Sequence, residues 1–235
     1  MRYIDKSNRC EVFDDFVNQN QGRLRREWEK FKKIDKNGVV RLALHQHLWQ
    51  EQKSLCCYCE QEIPKKTKLG TDEKSQMEHI RPKGRKEFKH LTFEFKNIII
   101  SCEGFDLTDD SIDKKNKRKF CGHIKDRTVA GVHPYNEFLF LNPTENFDIE
   151  TYFRYDSEGN VEPNPSKNTD DQERAAYMIR ILSLNHPTLI AMRKEQYSFW
   201  DGRRERLSYD EMAVDLDENL PFLPAFFSLL KQRFF

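Results

Sequence analysis

The sequence predicts a mixed α+β fold: a small ββα unit with a zinc clamp, flanked by N-terminal helices and a mostly helical C-terminal region. Three observations predict it. A Cys-x-x-Cys pair, Cys56 and Cys59, precedes a strand-like segment at residues 76–80. A second apolar segment leads into Cys102, and Cys121 follows after a further 18 residues. Helical spacing of apolar residues dominates the chain before and after this part.

The N-terminal third is expected to be helical. Leu24, Trp28 and Phe31 have the spacing of one helix face. Asn8 followed by Glu11 has the pattern of a capping box, which opens a helix. The predicted helices cover residues 8–17, 23–34 and 42–52.

The middle of the chain supplies the two predicted strands. Residues 76–80 form a short strand that Pro82 stops, because proline cannot donate to the ladder of a sheet. The Ile-rich segment 93–101 favours the second strand. Residues 64–75 and 106–119 are polar and charged, so we expect loops there, and a short helix or turn follows Cys121.

The C-terminal part is expected to begin with strands at residues 139–143 and 151–155 and a turn at residues 157–160. Pro187 suits a first helical position, and Ser208 with Glu211 forms a capping box. The final segment is rich in Phe and Leu, so it is either core or a surface for another chain. The predicted helices cover residues 173–184, 187–206 and 208–218.

Composition limits the class of protein. The chain has 235 residues, enough for one sizeable domain or two small ones, and 34% of them are charged. No apolar run approaches the roughly 20 residues of a membrane span, and the N-terminus lacks the apolar stretch of a signal peptide. We expect a soluble cytoplasmic protein with three regions: 1–53, 54–127 and 128–235.

Charge is distributed unevenly although the net charge is only +1. Residues 63–90 contain nine Lys/Arg against four Asp/Glu, and residues 111–127 contain seven against two. In residues 128–175 the balance reverses to three against ten. The basic segments are either solvated loops or a surface that attracts phosphates.

The six cysteines are interpreted as metal ligands rather than disulfides, because a Cys-x-x-Cys pair in an intracellular protein is typical of zinc. Cys102 and Cys121 would supply the second half of a tetrahedral thiolate site. The alternative is a set of unconnected buried cysteines. It remains open because 18 residues separate Cys102 from Cys121, whereas two to four residues usually separate the second pair of a zinc site. Cys10 and Cys57 are left over.

Glu78 and His79 suggest phosphodiester hydrolysis. Imidazole titrates near neutral pH and suits a general base, while a carboxylate suits a hard divalent cation that stabilises the negative charge. Asn97 is placed to fix the loop that carries His79 or to orient its ring. His123 is a further candidate, either as a ligand of the cation or as a phosphate contact. Lys125, like Arg81, is a candidate phosphate clamp.

The chain resembles the HNH endonuclease family. This resemblance implies a ββα-metal core at residues 54–127, a structural Zn²⁺, and a catalytic Mg²⁺ or Mn²⁺. It also implies His79 as general base, Glu78 as metal ligand and Asn97 as the asparagine that fixes the loop. The motifs that carry the resemblance are Cys56-x-x-Cys59, Glu78-His79-Ile80-x-Pro82, Asn97-Ile98-Ile99-Ile100-x-Cys102 and Cys121-x-x-x-Lys125.

One position departs from the family pattern. The residue after the last cysteine is often His or Asn, but here it is Gly122, which offers no side chain to a metal. His123 is the best substitute as the second ligand.

Four further motifs are spread over nearly the whole chain: Met1-Arg2-Tyr3-Ile4, Leu141-Asn142-Pro143, Tyr152-Phe153-x-Tyr155-x-x-x-Gly159 and Leu182-x-Leu184-Asn185. With them the chain is similar to the HNH subunit of Septu-type antiphage systems, some of which are linked to retrons. That resemblance implies a DNA or RNA substrate, an SMC-like ATPase partner docked on residues 128–235, and a retron reverse transcriptase with its msDNA as further partners.

Two other functions remain open. The chain could be a non-catalytic zinc module that binds nucleic acid, or a scaffold that assembles the ATPase, and in either case replacing His79 would be tolerated. Residues 128–235 could also simply complete the core. The sequence does not distinguish DNA from RNA as the substrate.

Overall fold

The computed structural model describes residues 1–69, 75–104, 120–127 and 134–235. Within these ranges the chain combines helices with two small antiparallel sheets, which confirms the mixed α+β prediction. The helices are α1 (Glu11–Leu24), α2 (Trp28–Ile34), α3 (Val39–Glu51), α4 (Gly122–Lys125), α5 (Thr169–Ile181), α6 (Pro187–Arg204), α7 (Tyr209–Asp215) and α8 (Phe227–Phe234). The strands are β1 (Ser75–His79), β2 (Ile98–Cys102), β3 (Phe153–Tyr155) and β4 (Val161–Pro163).

The N-terminal helices differ in detail from the predicted ones. Cys10, not Asn8, precedes the first turn of α1, and no side chain caps it. The predicted helix 23–34 is interrupted because Arg25 and Arg26 adopt left-handed φ angles of 48° and 57°, which a right-handed helix cannot continue through. The chain therefore turns, and α2 begins only at Trp28.

Strands β1 and β2 pair antiparallel, with His79 opposite Ile98 and Gln76 opposite Ser101. Strand β2 is buried throughout, as its run of isoleucines predicts. It begins later than predicted because residues 95–97 form a single 3-10 turn. The side chain of Gln52, just after α3, holds β2 in place. Its amide exchanges hydrogen bonds of 2.7 and 2.8 Å with the N–H and carbonyl of Ile100.

In the C-terminal part, Pro187 starts α6 and the Ser208–Glu211 capping box starts α7, as predicted. The segment 139–143 has no strand, whereas the hairpin of β3 and β4 flanks the predicted turn. In α8, Leu229 and Leu230 are completely buried, so this part of the final segment is core.

No described helix is both long and apolar enough to cross a membrane. The predicted loop at residues 106–119 lies outside the described residues.

The C-terminal end packs against the loop that carries Cys56 and Cys59. The buried carboxylate of Glu60 accepts hydrogen bonds from the N–H and the hydroxyl of Ser228, at 2.8 and 2.6 Å. The Phe226 N–H donates to the Glu60 carbonyl at 2.8 Å. The buried apolar residues of the N-terminal, central and C-terminal parts form one continuous cluster.

We expect Glu60→Ala to lower the free energy of unfolding by roughly 3 kcal/mol, because it leaves the polar groups of Ser228 buried without their charged acceptor. Chemical denaturation followed by circular dichroism measures the change. Glu62→Ala is the matched control, since Glu62 is exposed two residues away. Equal effects of the two substitutions would contradict the assigned role of Glu60.

Candidate metal centre and active site

Cys56, Cys59, Cys102 and Cys121 meet in one buried cluster, with all four sulfur atoms within 4.8 Å of one another. Sγ of Cys56 lies 3.9 Å from Sγ of Cys121, and Sγ of Cys59 lies 3.7 Å from Sγ of Cys102. A tetrahedral site with Zn–S bonds of about 2.3 Å separates its sulfurs by about 3.8 Å. A disulfide needs about 2.05 Å, so these distances suit a metal ion rather than two disulfides.

Three separate parts of the fold supply these thiols. Cys56 and Cys59 lie on a tight turn after α3, which the left-handed Glu60, with φ 63°, completes. Cys102 ends β2, and its N–H donates to Sγ of Cys56 at 3.2 Å. Cys121 precedes α4 with a φ of 56°, and its N–H donates to the Leu182 carbonyl. The remaining described cysteines, 10 and 57, are buried outside this cluster, as predicted.

His79 is the last residue of β1 and is almost completely buried, at 2% exposure. Its Nε2 lies 3.0 Å from the carbonyl oxygen of Thr92. A carbonyl only accepts, so Nε2 carries the hydrogen and Nδ1 keeps its lone pair. Among the described residues Nδ1 has no hydrogen-bond partner. The indole of Trp28 meets the imidazole edge to face, with the ring centres 4.7 Å apart.

Burial lowers the pKa of His79 to about 3, and the nearby positive charge of Lys83 acts in the same direction. The imidazole is therefore neutral at physiological pH and can accept a proton, but in this conformation it does not titrate near neutral pH as the sequence argument expects of a general base.

Asn97 connects the two ends of the segment between β1 and β2. Its Oδ1 accepts a hydrogen bond from the N–H of Arg81 at 2.8 Å. Its Nδ2 donates to the carbonyls of Arg81 and Leu91, both at 3.2 Å. Leu91 directly precedes Thr92, whose carbonyl holds His79, so the amide of Asn97 fixes the backbone around the imidazole.

Glu78 contacts a different set of partners, because successive side chains of a strand point to opposite faces. Its Oε1 lies 3.0 Å from the ammonium of Lys125. Burial raises the pKa of Glu78 to about 7, although the charge of Lys125 opposes this shift. A Cβ built on Gly122 would lie 2.5 Å from Oε2 of Glu78, so α4 begins directly against this carboxylate.

Lys125 and Arg81 have other partners than the phosphate that the sequence suggests for them. Lys125 is fully buried and donates to the carbonyls of His79 and Ile80 at 2.9 and 3.1 Å, besides its ion pairs with Glu78 and Asp126. Its ammonium therefore binds groups of the protein inside the fold. The guanidinium of Arg81 forms ion pairs with two carboxylates of the acidic segment, those of Glu137 and Glu145.

His123 lies in α4, where its Nε2 is 3.0 Å from Oε2 of Glu103. Gly122 faces Glu78. Because consecutive helical residues are rotated by about 100° around the helix axis, the neighbouring His123 points in a different direction. In the described ranges, the four cysteines are the only group of three or more His, Cys, Asp or Glu side chains close enough to share an ion. The role of His123 stays a prediction.

Sequence reasoning missed the polar residues that surround these groups. Gln52 holds β2, and Gln76 and Ser101 lie beside Glu78 at Gly122. The alternation of β1 was an available signal for Gln76, which lies two residues before Glu78 and therefore on the same face. Gln52 carried no local signal, because its partner Ile100 is 48 residues away.

We expect Cys59→Ser to abolish high-affinity zinc binding and to lower the melting temperature sharply, because metal binding contributes to the free energy of folding at such sites. Zinc content by mass spectrometry of the metal and a thermal melt measure both effects. Cys10→Ser is the control, since Cys10 lies outside the cluster. Retained zinc in Cys59→Ser would contradict a four-thiolate site.

We expect Asn97→Ala to lower the free energy of unfolding by about 2–3 kcal/mol, since the backbone groups of Arg81 and Leu91 lose their partners. Urea titration of the variant beside the exposed control Asn219→Ala measures this. A change below about 0.5 kcal/mol, as for an ordinary surface substitution, would mean that the amide does not fix the segment.

No family model matches the chain. It is 30% identical over 169 residues to a protein of Vibrio cholerae serotype O1 biovar El Tor named "Retron Vc95 putative HNH endonuclease". The match covers 72% of this chain and 69% of that protein. The similarity agrees with the motifs around His79 and with the cluster of four cysteines. This chain belongs to the HNH endonuclease family.

Proposed function

We propose that the chain is a metal-dependent endonuclease that hydrolyses phosphodiester bonds of a nucleic acid. One observation carries the proposal: a neutral imidazole in a fixed tautomer stands next in sequence to a buried carboxylate. His79 has Nε2 bound to the Thr92 carbonyl, which leaves Nδ1 as the proton acceptor. Glu78 has one oxygen against Lys125 and the other toward Gly122.

In this proposal His79 takes the proton from the attacking water through Nδ1. Asn97 is a positioning residue, because its amide fixes the backbone that carries the Thr92 carbonyl and so the tautomer of the imidazole. A neutral base is required, and burial of His79 keeps it neutral.

Glu78 would hold the catalytic cation, Mg²⁺ or Mn²⁺. The carboxylate is a hard ligand, and its Oε2 lies toward Gly122 rather than against Lys125. When bound, the cation would stabilise the negative charge on the phosphate and on the leaving oxygen. His123 pairs with Glu103 and does not face Glu78 in this conformation, so we propose it as a contact to the phosphate, and it would be a second ligand only if its side chain turned toward the cation.

The order of elements supports a ββα-metal core. The hairpin of β1 and β2 is followed by α4, and the four cysteines connect the hairpin, the helix and the loop at Cys56. We therefore propose residues 54–127 as the catalytic unit, with a structural Zn²⁺ held by the four thiolates. Residues 1–53 and 128–235 would be the flanking regions.

The setting that we propose is antiphage defence in the cytoplasm. The similar protein of Vibrio cholerae is named for a retron. The motifs of the C-terminal region favour the Septu type, in which an SMC-like ATPase controls the nuclease, with a retron reverse transcriptase and its msDNA in retron-linked systems. Phe138 and Phe147, 90% and 81% exposed, are the proposed contacts of residues 128–235 with the ATPase.

One observation favours the non-catalytic alternative. His79 is buried beneath Trp28, so water does not reach the imidazole in this conformation. A zinc module that only binds nucleic acid or scaffolds the ATPase has no need for such access. A nuclease has to open the site when the substrate or the partner binds.

We expect His79→Ala to abolish cleavage, because the attacking water loses its base. The loss should be at least 100-fold, at the lower end of what general bases contribute. Cleavage of plasmid DNA and of total tRNA with Mg²⁺ or Mn²⁺, with and without the ATPase, measures it. The substrate that disappears identifies the nucleic acid.

The control for this experiment is His90→Ala, which removes an exposed histidine of the same segment. Zinc content and the melting temperature of both variants show whether the fold is kept. Undiminished cleavage by His79→Ala would rule out the proposed mechanism. Absence of cleavage by the intact, zinc-loaded chain with its ATPase would favour the binding or scaffold alternative.

We expect the double substitution Phe138→Ala and Phe147→Ala to weaken binding of the ATPase, because exposed aromatic side chains are frequent anchors of interfaces. Co-purification and titration calorimetry with any SMC-like ATPase encoded beside this gene measure the affinity. Val39→Ala is the control, since Val39 is exposed in the N-terminal region. Unchanged affinity would place the contact elsewhere.

A further inference from the structure

The guanidinium of Arg81 is occupied by two carboxylates. Its Nη1 and Nη2 donate to the two carboxylate oxygens of Glu145 at 2.8 and 3.1 Å, and its Nε donates to Oε1 of Glu137 at 2.6 Å. All three nitrogens of the guanidinium therefore have anionic partners. A guanidinium binds carboxylate and phosphate through the same fork of parallel hydrogen bonds, so Glu145 holds the position that a phosphate group would take.

Arg81 is fixed relative to the proposed base. It follows His79 by two residues, and the amide of Asn97 binds both its N–H and its carbonyl. The same amide donates to the carbonyl of Leu91, which directly precedes the Thr92 that holds the imidazole. A phosphate bound by this guanidinium would therefore lie at the same end of the hairpin as the base that is proposed to act on a phosphodiester.

The two carboxylates come from turns of the acidic segment, residues 128–175. Asn136 begins the first turn, and its carbonyl accepts a hydrogen bond from the N–H of Phe140 at 2.9 Å. Asn142 begins the second turn, and its carbonyl accepts from the N–H of Glu145 at 3.1 Å. The carboxylates are therefore presented to the guanidinium by ordered backbone.

The contact is open to exchange. The side chains of Glu137 and Glu145 are 43% and 55% exposed, and that of Arg81 is 22% exposed. Exposed ion pairs contribute little net free energy, because water and salt screen them. A nucleic acid presents many phosphates, so it can compete with the two carboxylates. Lys125 differs in this respect, because its ammonium is completely buried between its partners.

We propose that Arg81 binds a phosphate of the nucleic acid backbone, and that Glu137 and Glu145 restrain the nuclease by occupying this arginine as phosphate mimics. This inference rests on the proposed nuclease function and adds a control of substrate binding to it. The carboxylates compete with the phosphodiester backbone, so the acidic segment lowers the affinity of the chain for its substrate. Their displacement exchanges one ion pair for another.

Binding of a fluorescein-labelled oligonucleotide to the zinc-loaded full chain, followed by fluorescence anisotropy, tests the inference. Duplex DNA and an RNA hairpin are both used, without added Mg²⁺ or Mn²⁺ so that they stay intact. We expect the double substitution Glu137→Gln and Glu145→Gln to lower Kd about 10-fold, within the roughly 5–150-fold range of coupled sites. The logarithmic salt dependence of binding to duplex DNA should become steeper by about 0.9, the contribution of one further neutralised phosphate.

Adding Arg81→Ala to the double variant should remove the gain in affinity, whereas a general effect of lost negative charge would persist. Adding Arg81→Lys instead should keep only part of the gain, because lysine retains the charge but lacks the fork of donors. Glu162→Gln with Glu173→Gln is the matched control, since it removes two charges from exposed positions of the same acidic segment. Zinc content and thermal melts of every variant show whether the fold is kept.

The inference is overturned if the double variant binds no better than the wild type, as expected of a purely structural ion pair. It is also overturned if the gain survives Arg81→Ala, or if the control pair gives an equal gain. Absence of binding by the double variant to either nucleic acid has the same consequence. Failure of the proposed function looks different, because cleavage would then persist in His79→Ala whatever the affinities are.

Discussion

The convergence of four thiols is the constraint on which the rest of the central unit depends. Cys56 and Cys121 are 65 residues apart, yet their sulfurs lie 3.9 Å from each other. Within the described residues the sheet between them has two strands, and an isolated two-stranded sheet is marginally stable in water. A metal bound by the four thiolates would supply the free energy that this small sheet cannot, since binding and folding are coupled at such sites. Glu60 and Gln52 then connect the cysteine loop to α8 and to β2.

The cluster of four cysteines also determines which residues lie against Glu78. Cys121 precedes α4, so fixing its sulfur brings Gly122 and Lys125 against β1. Burying a carboxylate and an ammonium is costly unless both are well paired. Here the ammonium of Lys125 meets two backbone carbonyls and two carboxylates, so its charge is fully compensated. A rigid arrangement of this kind holds Glu78 in one orientation.

Alternation along β1 gives its last two residues opposite environments. On one face, His79 packs under Trp28 and remains neutral because it is desolvated. On the other face, Glu78 lies among polar groups and beside a positive charge. Neighbouring residues of one short strand thus have different surroundings, an apolar one for the imidazole and a polar one for the carboxyl group. Asn97 stabilises the first face through the backbone that precedes Thr92.

The sequence by itself determined the mixed fold, the two strands, the grouping of the four cysteines and several helix starts, because local patterns and ligand chemistry encode these features. The tertiary structure decided the rest. Lys125 is a buried partner of Glu78 rather than a surface cation, and Gly122 packs directly against the polar side chains of Glu78 and Ser101, where a Cβ would clash. Neither fact has a local signal, because each depends on how α4 meets a strand more than 40 residues earlier. Contacts of this range arise only when the chain packs.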